Sequence, residues 1–186
     1  MLSIPNTVIL VNEADQVIGQ MEKLHAHRLG LLHRAISVFT FNDENQLLIQ
    51  QRAFDKYHSR GLWSNTCCSH PFPEESVIEA GERRLFEEMG IHCQLEHLFH
   101  FTYSIELEDG LIENELDHVL IGCSNEVPII NQAEVFSYKW IDLEELTYAI
   151  EQQPDQYTYW FKYILSNHLE NITNCLNHES LQKRNI

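Results

Sequence analysis

Apolar and polar positions divide this chain into elements of two different periods. Residues 8–12 and 36–42 are apolar runs of strand length. The polar stretch Asn42-Asp43-Glu44-Asn45 marks a turn, and residues 46–51 run back from it as the second arm of a hairpin. Further strands are expected at 98–105, 113–123 and 135–141. A helical period takes over at 74–89, just after Pro73, where Val77, Ile78, Gly81, Leu85 and Met89 share one arc at about 100° per residue. Asp142 is placed to cap a helix reaching residue 152. Pro154 interrupts the chain, and residues 156–176 carry Phe161, Leu165, Leu169, Ile172 and Leu176 along one stripe. Strands, hairpins and helices interleave, which predicts an α/β fold with a mixed sheet rather than a doubly wound parallel one.

A chain of 186 residues suits one domain with a sizeable core, and no repeat or long linker divides it. No apolar run approaches the length of a membrane span, and the first residues lack a basic start and apolar core, so a cytoplasmic setting is expected. The net charge of −16 argues against nucleic acid and anionic membranes as partners. It leaves room for an anionic small molecule in a locally basic cleft. The scarce basic residues are unevenly spread: Arg52, Lys56 and Arg60 recur close together, and Arg83 adjoins Arg84. Five cysteines with no C-x-x-C pair fit neither a disulfide framework nor a cysteine-built zinc site. Cys93, Cys123 and Cys175 read as small buried hydrophobes, and the polar residues 179–186 are expected to fray.

Strand alternation places Cys68 with His70 in T-C-C-S-H and sets Cys67 on the opposite face. The same alternation puts Glu113 beside Glu115 in E-N-E-L-D. Two carboxylates on one face need water, a cation or a proton between them, or a solvated face. On the helix, Glu88 falls inside the apolar arc and Glu87 outside it. A carboxylate there needs a partner, Arg84 one turn earlier or a bound cation, unless Arg84 and Glu88 form an ordinary surface pair at the edge of the arc. His27 and His33 flank a glycine in H-R-L-G-L-L-H. With His70, Glu113 and Glu115 they offer three nitrogens and two carboxylates, a set suited to manganese or a related divalent ion. Eleven histidines permit other combinations.

Residues 70–91, H-P-F-P-E-E-S-V-I-E-A-G-E-R-R-L-F-E-E-M-G-I, resemble the Nudix signature. Glu75, Arg83, Glu87, Glu88 and Gly90 fit it; Ser69 stands where the leading glycine belongs, and Arg84 where the pattern has a glutamate. The wider chain is similar to one branch of that superfamily, the type I isopentenyl-diphosphate isomerases. The matching pieces are E-K-L-H-A-H, L-L-H-R-A-I-S, L-L-I-Q-Q-R-A, G-L-W-S-N-T-C-C-S-H-P, F-T-Y, G-L-I-E-N-E and W-I-D, in the family's order over most of the chain.

That resemblance implies a Nudix-like α/β/α sandwich with a mixed sheet. It implies a single domain over 1–186, with residues 1–35 and 154–178 as additions specific to the branch. The activity implied is interconversion of isopentenyl and dimethylallyl diphosphate through a tertiary carbocation. By position, Cys68 takes the place of the catalytic thiol and Glu115 that of the catalytic acid/base, with Tyr103 beside it. His27, His33, His70, Glu113 and Glu115 correspond to a manganese or zinc site. Glu88 corresponds to a ligand of magnesium, which also touches the substrate diphosphate and the backbone of Cys68. Lys23, Arg52, Lys56 and Arg84 match diphosphate contacts, and Trp160 the indole against the isoprenoid tail. Arg60 is expected to be peripheral, and the chain a monomer acting on small isoprenoid diphosphates. The rival readings are a metal-dependent Nudix pyrophosphohydrolase and a non-catalytic binding module.

Overall fold

A computed structural model describes residues 7–56 and 58–177; the polar tail at 179–186 lies outside the described residues. The described residues open with a hairpin of β1 (Thr7–Val11) and β2 (Val17–Glu22), followed by the two-turn helix α1 (Lys23–Leu29). Next come β3 (His33–Phe41), β4 (Leu47–Arg52) and two short strands, β5 (Trp63–Ser64) and β6 (Cys67–Ser69). Helix α2 (Val77–Met89) leads to the long strands β7 (Glu96–Glu106) and β8 (Ile112–Cys123). Strand β9 (Val135–Ile141), α3 (Leu143–Gln152) and α4 (Tyr159–Asn177) complete the described chain.

β3 is the organising strand. It pairs in parallel with β8 from His33↔Glu115 to Phe41↔Cys123, and antiparallel with β6 through Ser37↔Cys68. It also meets β1 and β4 antiparallel, β4 carries β5 and β9, and β8 carries β7, so the sheet is mixed as expected. Alternation along β3 sends Ile36 and Val38 to one face, where they pack with Ala80, Leu85 and Met89 of α2. Phe39 and Phe41 point the other way, into a core closed by Leu146 of α3 and Trp160, Phe161, Ile164 and Leu165 of α4. A sheet between helices on both faces is the α/β/α sandwich.

Element boundaries shift where local chemistry overrides period. The α2 helix begins at Val77 rather than 74, because Ser76 and Glu79 form a reciprocal capping box (2.9 and 3.2 Å) and Glu74 sits at φ 69°. Ile78 is half-exposed rather than core. α4 starts at Tyr159 rather than 156, because Tyr157 bridges Trp63 and the Thr158 amide donates to the Trp63 carbonyl at 2.9 Å. β2 and α1 follow no apolar period: β2 is largely exposed, and α1 is held by its ends. The Glu22 carboxylate accepts from the amides of Leu24 and His25, and Gly30 closes the helix at φ 61°.

Gly81 lets α2 approach the sheet. A Cβ there would meet Leu95 Cδ1 at 2.8 Å and Leu120 Cδ1 closer still. Helix propensity alone favours alanine by about 1 kcal/mol. Overpacking is nonetheless expected to make Gly81→Ala destabilising by a net ~1–2 kcal/mol, seen as a lower denaturant midpoint. An unchanged midpoint would mean that α2 lifts from the sheet without cost.

Candidate active site

β6 and β8 flank β3 on its two sides, so Cys68 and Glu115 approach one space from opposite directions. That space is a pocket of about 520 Å³, including its open mouth. Cys68, His70, Tyr103, Glu113, Glu115 and Trp160 line it, together with Lys23, Arg52, Lys56 and Arg84. Four of the chain's 12 basic side chains therefore converge on one cleft of an acidic protein. Arg60 is exposed and lies outside it.

At the acidic end, His27 and His33 are fully buried. Their Nδ1 atoms sit 2.6 Å from the Lys23 carbonyl and 2.8 Å from the Leu31 carbonyl. Those bonds place the ring proton on Nδ1 and aim the Nε2 lone pair inward. His27 Nε2 lies 3.2 Å from Glu113 Oε2, and His33 Nε2 3.5 Å from Glu115 Oε1. His70 Nε2 lies 2.9 Å from the same Glu115 oxygen. Donor atoms of His27, His33, His70, Glu113 and Glu115 all fall within 4.8 Å of one another. Nε2 of His33 and Oε2 of Glu113 are buried and make no hydrogen bond among the described residues. Buried, convergent lone pairs without protons to share are what a divalent cation satisfies, so the five residues fit a metal site. Burial holds the His70 ring well below its usual pKa, and hence neutral.

The remaining oxygen of Glu115 accepts from the Tyr103 hydroxyl at 2.6 Å. Burial disfavours the charge on Glu115, but without a metal a proton on the His33 ring and the hydrogen bonds around the carboxylate prevail and bring its pKa down to about 2. Burial drives the Tyr103 hydroxyl far above its normal value, and the Glu115 charge adds to that. Cys68 goes the same way: burial pushes its thiol up to about 11, although Arg52 Nη1 stands 3.9 Å from the sulfur and opposes the rise. Cys67 belongs to the apolar core beneath α2, so the two neighbours do face opposite sides of the sheet.

Glu88 is buried as its place on the arc predicts. Its Oε1 binds Arg84 and its Oε2 accepts from Gln50 at 2.8 Å. The Arg84–Glu88 pair exists, but as a buried network rather than a solvated surface pair. Trp160 is fixed by donation from its indole N–H to Ser64 Oγ at 3.1 Å and Asn65 Oδ1 at 3.2 Å. The Arg52 guanidinium lies 5.4 Å from the ring centroid.

Two participants escaped the sequence reading. Buried His58 places Nε2 3.2 Å from Glu113 Oε1 and stands edge-on to Trp160. Glu134 ties Lys56 to Arg84, lying 3.4 Å from the latter. His58 sits between Lys56 and Arg60, and that basic stretch was the one signal available for it.

A Nudix-domain family profile matches residues 31–161. An isopentenyl-diphosphate Delta-isomerase of Pectobacterium atrosepticum is 53% identical over 83% of this chain and 87% of its own. Isopentenyl-diphosphate Delta-isomerase 2 of Photorhabdus laumondii is 47% identical over 86% of this chain and 90% of its own. The chain belongs to the isopentenyl-diphosphate Delta-isomerase family, within the Nudix fold. A solved structure from Deinococcus radiodurans shares that fold at TM-score 0.66 and 23% identity, covering 78% of this chain and 89% of its own. A MutT protein from Methanosarcina mazei does so at TM-score 0.61 and 17% identity, covering 75% and 95%. Lys23, which this isomerase-family chain brings to the pocket from α1, and His27, which it brings to the His/Glu cage, lie before the Nudix match begins.

Proposed function

We propose that this chain interconverts isopentenyl and dimethylallyl diphosphate, with Cys68 and Glu115 carrying the two proton transfers. The observation that carries the reading is the approach of a thiol and a carboxylate to one pocket from the two sides of β3, with four cations lining the same pocket. Lys23, Arg52, Lys56 and Arg84 hold the diphosphate. The alkene then lies between Cys68 and Glu115. One group adds a proton to the terminal CH2 carbon, which leaves a tertiary cation at the branched carbon. The other removes a proton from the neighbouring CH2, and the double bond forms there. No proton is gained or lost overall, and reversal exchanges the roles. Each positioned acid or base contributes about 10²–10⁴ in rate.

His27, His33, His70, Glu113 and Glu115 would hold a divalent cation, manganese or zinc by the donor set, whose charge would tune the proton affinity of Glu115. Glu88, whose oxygens each keep a lone pair after binding Arg84 and Gln50, would hold magnesium that neutralises the diphosphate. Tyr103 holds the Glu115 carboxylate in place by its short hydrogen bond. The indole face of Trp160 stabilises the carbocation by about 2 kcal/mol or more in a dry site, and the wall around it keeps out water that would capture the cation. A monomer in the cytoplasm, acting on small isoprenoid diphosphates, belongs to the same proposal.

The hydrolase reading has less support. A hydrolytic Nudix helix needs a full set of carboxylates for magnesium, whereas here Arg84 stands in the place of one and Glu87 accepts from Arg83 and Arg84. The deciding experiment follows dimethylallyl diphosphate formation from purified protein, with and without a chelator. Product is expected only when the metals are present, with no phosphate release from nucleoside diphosphate derivatives. Phosphate release without isomerisation would reverse the assignment.

A further inference from the structure

β7 and β8 carry a second histidine cluster that the chemistry above does not use. Ring nitrogens of His97, His100 and His118 lie within 4.8 Å of one another. His97 Nε2 is 3.0 Å from His118 Nδ1, and the His100 ring centroid is 5.3 Å from that of His118.

Regular strand geometry would not build this cluster. Residues three apart on a strand point to opposite faces, so His97 and His100 would be separated. The β7–β8 register shifts here: His97 opposes Leu120 while Phe99 opposes Val119, leaving Leu98 as an extra residue. That bulge turns His97 back to the face of His100, which stands directly across from His118. A third element supports the arrangement. His118 Nε2 lies 3.1 Å from Asp15 Oδ2, in the β1–β2 turn. Asp15 is itself fixed, since Arg34 Nε donates to its Oδ1 and Arg34 Nη2 to its carbonyl, each at 2.8 Å. The Asp15 charge at ion-pair distance, without a hydrogen bond, favours a proton on Nε2 and leaves the Nδ1 lone pair facing His97 and His100. This is how carboxylates orient metal-binding histidines.

We propose that His97, His100 and His118 form a second divalent-cation site of zinc type, with Asp15 as the positioning residue. Three neutral imidazoles suit zinc and its neighbours in the transition series better than calcium or magnesium. His97 and His100 are exposed, so a cation enters from solution and water completes its shell. Binding replaces the His97–His118 hydrogen bond. The His97 proton moves to Nδ1, so neither ring gains or loses net charge.

Zinc chloride is the probe. Zinc per chain is counted after equilibrium dialysis of wild type, of the double variant H97Q/H100Q and of Asp15→Ala. Wild type is expected to bind one equivalent more than H97Q/H100Q, whatever the occupancy of the active-site cage, with isomerase turnover unchanged in the variant. Asp15→Ala is expected to weaken that equivalent by about 10–100-fold. Both glutamine substitutions are at exposed positions, and circular dichroism checks that the fold persists. Wild-type protein gives a second reading, since zinc is expected to shift the ring-proton resonances of His97 and His100. Equal zinc content in wild type and double variant, or unshifted His97 and His100 resonances, overturns the site. Undiminished affinity in Asp15→Ala overturns the positioning role.

Discussion

Cys68→Ala is expected to lower turnover by at least about 10³-fold, whereas Cys67→Ala keeps turnover near the wild-type level. The two cysteines are chain neighbours of identical chemistry, so the contrast isolates the direction in which each side chain points. Cys68 lines the pocket with its sulfur 3.9 Å from Arg52; Cys67 is fully buried among Ile36, Val38 and Leu85. Removing the Cys67 thiol leaves a small void and costs stability of about 1 kcal/mol, visible in a melt but not in the reaction. Removing the Cys68 thiol deletes one of the two proposed proton carriers. Cys68→Ser sharpens the test. A hydroxyl fills the space but does not serve as an acid or base in the range of a thiol, so turnover is expected to stay low. Equal losses in Cys67→Ala and Cys68→Ala would mean that the pair matters only for packing. Turnover is read from dimethylallyl diphosphate formed under saturating substrate.

How much of this was legible in the sequence depends on the range of each signal. β9 was expected at residues 135–141 and lies there, and the α4 stripe packs into the core as its period requires. Glu88 was separated from Glu87 by helical period alone, and burial follows that division. α1 was not legible, since seven residues with Ala26 and His27 buried make no apolar stripe, and its limits are set by Glu22 and Gly30. Alternation joined Cys68 to His70 and Glu113 to Glu115. It had no means of choosing His27, His33 and His70 from eleven histidines. Their meeting with Glu113 and Glu115 depends on the parallel pairing of β3 with β8, a contact between segments some eighty residues apart; residue chemistry offered the set as one combination among several, and the family resemblance selected it. His58 and the bulge at Leu98 depend on tertiary context throughout, and no period of two or 3.6 announces them.

Glu115→Gln is expected to abolish measurable turnover, a loss of at least about 10³-fold, in a protein that remains folded. The amide keeps the size and shape of the carboxylate. The strand pairings that bring His33 and Tyr103 alongside position 115 are made by backbone and persist. What changes is charge and proton capacity, since an amide neither takes up nor releases a proton at working pH. Glu115 is also one of five donors in the metal cage, so lost turnover alone would not separate proton transfer from weakened metal binding. Glu113→Gln makes that separation. Glu113 shares the cage, facing His27 and His58 at 3.2 Å, but the Tyr103 hydroxyl bonds to Glu115 and not to it. Both variants are therefore expected to hold the cation less tightly. Excess manganese should restore a substantial part of turnover to Glu113→Gln and almost none to Glu115→Gln. Rescue of both variants to the same extent would reduce Glu115 to a ligand, and the proton would then have to be carried by another group on that side of the pocket. Tyr103, whose hydroxyl is held protonated far above neutral pH by burial, is poorly suited to release it unaided. The differential rescue thus decides whether the carboxylate itself moves the proton.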